Sequence, residues 1–230
     1  MDYEPQYFSA PQLTFFDIGE SSPGVVELFP AVWSSAEALT TPDAVTCLRA
    51  LDRLEEMDAA RLSPLVAYLM ATRLADPNIE LRTRVVQILG DLLTPNQKDK
   101  RAPDAICNHL TASLSQLRTR EVFALLQVIV HNPTTKKQVA RLLNSSPFAG
   151  THLVEILASS KVLLTIRKQA ARIIGLVGYV DAIPALERIA NRLESRINGQ
   201  QVMSFIPMGG VDDIALLPEV ISTLDLLNSP

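Results

Sequence analysis

The chain has 230 residues, of which 47% are hydrophobic and 20% charged, a balance that excludes a disordered polyelectrolyte and supplies enough apolar side chain for a real core. A net charge of -4 leaves no overall surplus of Lys and Arg, which argues against a general nucleic-acid binder. The acidic start Met1-Asp2-Tyr3-Glu4 lacks the apolar run of a secretory signal, and no apolar run reaches the roughly 20 residues a membrane span needs. Two cysteines, Cys47 and Cys107, are too few for a disulfide framework, so the expectation is a cytoplasmic protein with reduced thiols.

Residues 1–33 hold Tyr3, Tyr7, Phe8, Phe15, Phe16, Phe29 and Trp33, seven of the chain's twelve aromatic residues in about a seventh of its length. Pro5, Pro11, Pro23 and Pro30 interrupt any long helix here, and Gly19 to Gly24 reads as a turn, so the segment is expected to be extended, with a short helix near 25–38 as the alternative. Large apolar side chains are costly in water. Two readings of them stand: the segment folds back over the first helices, or it docks on a partner through Tyr3, Tyr7, Phe8, Phe15 and Phe16.

From residue 34 the apolar residues recur at helical spacing, as in Leu48, Leu51 and Leu54, then Leu81, Val85, Ile88, Leu89 and Leu92, then Ile166, Ala170, Ile173, Ile174 and Val177. Alternating β-branched runs are almost absent. Thr41-Pro42, Ser63-Pro64, Asp76-Pro77, Asn132-Pro133 and Ser146-Pro147 each set a capping side chain before a proline, which suits the first helical position because its missing donor costs nothing there. The predicted helices are 43–57, 63–75, 78–93, 103–115, 118–131, 134–144, 148–159, 162–178, 182–196 and 213–227. Between the last two, residues 197–212 read as a loop insertion carrying Met203, Phe205, Ile206 and Met208, adaptable apolar groups suited either to contact with a partner or to covering the last helix pair.

Two segments share a pattern. In 63–93, Asp76-Pro77-Asn78 is followed by Leu81-Arg82 and a helix ending in Ile88-Leu89-Gly90. In the second, Ile166-Arg167 opens a helix ending in Gly175-Leu176-Val177-Gly178, followed by Asp181-Ala182-Ile183-Pro184. Both resemble HEAT and phycobilisome-lyase-type HEAT-like repeats, over about a third of the chain; Ser159-Ser160-Lys161 stands where the pattern has Asp-Pro, and 132–147 fits no repeat register. The resemblance implies an all-α, right-handed α-solenoid of about four to five irregular helix pairs over 34–230. It also implies that the second helix of each pair lines a concave face, which makes Arg84, Gln87, Lys168 and Arg172 candidates for partner binding. The bland alternative for those charges is a solvated amphipathic face.

Chemistry-bearing patterns are missing. His109, His131 and His152 have no zinc-ligand spacing, Cys107 and His109 form a lone pair, and neither a nucleophile elbow nor a phosphate-binding glycine loop occurs. The expectation is therefore a non-enzymatic protein-binding adaptor or scaffold subunit, with no catalytic residue, metal, cofactor or small-molecule ligand. A HEAT-like enzyme of the bilin-lyase or base-excision kind, or a nucleic-acid module built on the local basic groups, stands as the alternative.

Overall fold

A computed structural model describes residues 25–94, 102–202 and 209–229. Among these residues the chain is all-α, with twelve α-helices, three 3-10 turns and no strand. The helices are α1 (Val25–Ala38), α2 (Ala44–Glu56), α3 (Ala59–Leu62), α4 (Pro64–Thr72), α5 (Ile79–Leu92) and α6 (Asp104–Leu114). They continue as α7 (Thr119–His131), α8 (Lys136–Asn144), α9 (Ala149–Ala158), α10 (Leu164–Val177), α11 (Ile183–Val202) and α12 (Gly209–Asn228).

The proline pairs announce helices, but only two of the five place the cap where expected. Ser63 accepts from the Val66 N–H at 3.3 Å with Pro64 as the first helical residue, and Asn132 accepts from the Thr134 N–H. At Thr41-Pro42 the cap is Asp43, whose carboxylate accepts from the Thr46 N–H at 2.9 Å, while the Thr41 hydroxyl donates back to the Ala38 carbonyl. At Asp76-Pro77 the cap is Asn78, which accepts from the Leu81 N–H at 2.9 Å, and Asp76 accepts from the Asn78 N–H. In both, a strong capping residue follows the proline and takes the role. Ser146 caps nothing, and its buried hydroxyl finds no partner among the described residues.

Two expected boundaries move. The helical part begins at Val25, as the alternative of a helix near 25–38 has it, rather than after residue 33, because Pro30, sixth in α1, removes a single intrahelical hydrogen bond and does not stop the helix. Residues 1–24, with the tail aromatics, lie outside the described residues. Of the expected insertion 197–212, residues 197–202 continue α11 and 209–212 open α12; only 203–208 fall outside the description. Asn198 and Gly199 are weak helix formers, but with no proline after them they do not end α11. Gly178 does end α10: at φ 84° it takes the left-handed cap conformation that favours glycine.

Helices α2, α5, α8, α10 and α12 touch one another in that series. Against them pack α1 on α2, α4 on α5, α7 on α5, α8 and α10, α9 on α10, and α11 on α12. Within the stretch 132–147, α8 packs against both α5 and α10. One aliphatic core runs through the array from Ala36 to Val220. Its fully buried members, among them Leu51, Leu54, Leu81, Leu89, Leu125 and Ile129, each contribute about 1.5–3 kcal/mol of transfer free energy. No aromatic ring is fully buried among the described residues.

Candidate partner-binding surfaces

Arg84 and Gln87 lie one turn apart on α5, and Lys168 and Arg172 one turn apart on α10, so each pair shares a helix face. The structure does not merge them into one basic patch, because α8 lies between α5 and α10. Arg84 reaches back to α2, with Nη2 2.6 Å from Glu55 and 3.5 Å from Asp52. Arg172 grips Glu219 of α12 with two donors, Nε at 2.9 Å and Nη2 closer still. The hydrogen bond from Arg172 holds the Glu219 carboxyl below the usual carboxylate range, with the positive charges of Lys168 and Lys136 adding to it. Arg141 of α8 sits 4.0 Å from Asp91 of α5. Along this row the arginines are spent on neighbouring carboxylates, and the face carries mixed charge.

Two other arginines are buried. Arg82 and Arg167 are the second residues of Leu81-Arg82 and Ile166-Arg167 and occupy the fourth position of α5 and of α10. Arg82 donates from Nη1 to the Ala124 carbonyl at 3.2 Å and to Gln127 at 2.8 Å, tying α5 to α7, while its Nε finds no acceptor among the described residues. Arg167 donates from Nε to the Leu157 carbonyl at 2.9 Å, tying α10 to the end of α9. Burial lowers the pKa of both. Asp76, whose charge also acts on Arg82, pairs at 3.1 Å with Arg73, which also donates to the Thr41 carbonyl at 2.9 Å and so pins the α1–α2 turn to the end of α4.

The clearest apolar feature lies between α1 and α4. Trp33, Ala36 and Glu37 on one face of α1, Thr40 in the turn after it, and Leu65 and Leu69 on one face of α4 together line a groove of about 350 Å³. Trp33 is 52% exposed there, and Tyr68 of α4 is exposed to the same extent. The i, i+3, i+4 spacing of the α1 residues is readable in the sequence. The partner face on α4, some 30 residues away, is not. A second groove of about 360 Å³, between α8 and α10, is polar at one side (Lys137, Arg141, Asn144) and apolar at the other (Leu176, Val177). The expected contact residues Tyr3, Tyr7, Phe8, Phe15 and Phe16, and Met203, Phe205, Ile206 and Met208, lie outside the described residues.

Both thiols are free, Cys47 buried and Cys107 half-buried. Among the described residues no three His, Cys, Asp or Glu side chains gather as a metal site, and no helix is long and apolar enough to cross a membrane. Compared with known proteins, the chain matches no family model, no curated protein and no solved structure.

Proposed function

We propose that the chain is a HEAT-like α-solenoid of four to five irregular helix pairs that works in the cytoplasm as a non-enzymatic adaptor, binding another protein. The observation that carries this reading is the α1–α4 groove, where a half-exposed tryptophan stands over leucines at one end of the helix series. Tryptophan is the residue type most often found at the energetic centre of protein interfaces, and an apolar groove with a polar rim, here Glu37 and Thr40, has the anatomy of one. The serial contacts of α2, α5, α8, α10 and α12 support the repeat architecture. The N-terminal aromatics and the α11–α12 connection are further contacts in this proposal.

The test is a pull-down of the tagged full chain from its native source, in parallel with a Trp33→Ser variant and with a deletion of residues 1–22. Wild type is expected to recover a stoichiometric protein partner, and Trp33→Ser to lose at least about 90% of it at unchanged helical circular dichroism, as for an interface hot spot. Full recovery by Trp33→Ser, or a wild-type chain that stays without a partner, sinks the proposal. For the deletion, a thermal midpoint lowered by many degrees assigns residues 1–22 to the chain's own stability and removes them from the interface.

A further inference from the structure

A small pocket opens where the end of α9, the first turn of α10 and one face of α11 meet. Its volume is about 190 Å³, and three arginines line it: Arg167 from α10, and Arg192 and Arg196 from α11, with Ser160 at the rim and Leu193 in the wall. Arg192 and Arg196 stand one turn apart on α11, so the helix presents both to the same space.

Arg167 is only 5% exposed. Its Nε is committed to the Leu157 carbonyl, but its two terminal nitrogens donate to no atom of the described residues. Arg192 makes no hydrogen bond or ion pair among the described residues. Arg196 has one carboxylate, the buried Asp213, at 3.4 Å; the negative charges of Asp213 and, to a lesser extent, the exposed Asp212 also act on Arg167. Three arginine side chains thus line one pocket, with Asp213 and Asp212 as the carboxylates that act on it. Like charges repel, so an anion that supplies negative charge and acceptor oxygens favours such a cluster.

We propose that this pocket binds a phosphoryl-type oxyanion, held by the terminal nitrogens of Arg167 from below and by Arg192 and Arg196 from the side. Guanidinium forks arriving from two helices suit a tetrahedral group with several oxygens better than a planar carboxylate, which fills a single fork. The volume is below the roughly 300–1,000 Å³ of pockets for drug-sized ligands and matches about six waters, so it takes one phosphoryl group and no more. The carbonyl end of α9, which would repel an anion, is muted because Arg167 already occupies the Leu157 carbonyl. The site owes nothing to the adaptor reading and stands or falls without it.

The experiment is calorimetric titration of the full chain with inorganic phosphate, at ionic strength held constant with chloride, with acetate as a second titrant. The variant is Arg192→Gln, chosen because Arg192 has no structural partner; its thermal midpoint without phosphate is measured alongside and is expected to match wild type. Wild type is expected to bind phosphate saturably, with acetate at least about tenfold weaker, and Arg192→Gln to weaken phosphate about tenfold or more, as for loss of a charge-assisted hydrogen-bond donor. Absence of saturation, equal binding by Arg192→Gln, or acetate binding as tightly as phosphate overturns the proposal. Phosphate also stabilises proteins by exclusion from their surface, so a midpoint that rises without saturating counts against the site.

Discussion

Tyr179 shows how one side chain can make stability depend on pH. It follows the cap of α10, donates its hydroxyl to the Leu143 carbonyl at 2.7 Å, and lays its ring against Gly150, where an added Cβ would stand 3.1 Å from two ring carbons. Burial pushes its phenol up to about 12. The folded state therefore favours the neutral form more than the unfolded chain does. The contribution is present in full below about pH 10, the ordinary phenol value, and is lost as pH rises from there toward 12. Tyr179→Phe is expected to cost about 1 kcal/mol at pH 7, from the lost hydrogen bond, and to flatten the fall of the thermal midpoint between pH 10 and 12. Lysines and other tyrosines titrate in that range in both proteins, so the difference between the two curves isolates this group. Parallel curves would show that burial of Tyr179 carries no pH dependence. The sequence gives little warning of such residues. Arg82 and Arg167 read as polar positions on amphipathic helices, yet a long apolar stem and a planar fork let both go inside and serve carbonyls. Their burial depends on acceptors elsewhere in the chain, Ala124 being 42 residues from Arg82, and no local period announces that.

At the scale of the element, two glycines set how closely the helix series packs, and they do so unequally. Gly90 of α5 faces Gln138 of α8, and a methyl there would meet Gln138 Cγ at 2.7 Å and its backbone Cα at 2.9 Å. Gly175 of α10 faces α12, where a methyl would meet Leu226 Cδ2 at 3.1 Å and Thr223 Cγ2 at 3.3 Å. Alanine gains about 1 kcal/mol over glycine inside a helix. At Gly90 that gain meets a backbone atom that cannot move aside, and overpacking of this kind costs about 1–3 kcal/mol. At Gly175 the nearest atom is a side-chain tip that shifts readily. Gly90→Ala is therefore expected to lower unfolding stability by up to about 2 kcal/mol, and Gly175→Ala to leave it unchanged or raise it by up to about 0.5 kcal/mol, both read by urea denaturation. Equal effects would mean that the two crossings are alike. The helices themselves were legible because their signals are local: apolar spacing recurs within one turn, and a proline with a capping residue beside it marks each start. What is not local was missed. Nothing near Ile197 shows that α11 runs on to Val202, and the separation of α2 from α3 turns on Asp58 at φ 51°, a conformation no residue pattern displays.

Across the whole molecule, the question is whether the charged row or the apolar groove meets the proposed partner. The row is laced by Arg84 to Glu55 and Asp52, Arg141 to Asp91, and Arg172 to Glu219, each joining neighbouring helices of the series. Arg84 and Arg172 are 41% and 44% exposed, so each pair is worth about 0.2–1 kcal/mol, small beside one fully buried leucine of the core. Arginines paired in this way would have to break those contacts before serving a partner. Their candidacy was legible from repeat position, but their pairing was not, because Glu55 and Glu219 come from other helices. Trp33, Leu65 and Leu69 line an apolar groove, and burying them against a partner returns apolar area to a dry environment. The double variant Arg84→Gln with Arg172→Gln is therefore expected to lose less than about 2 kcal/mol of stability and to recover the partner as wild type does, while Trp33→Ser keeps its fold and loses the partner. Capture abolished by the double variant and kept by Trp33→Ser would move the interface to the α5–α10 face, with the carboxylates as a shield that the partner displaces.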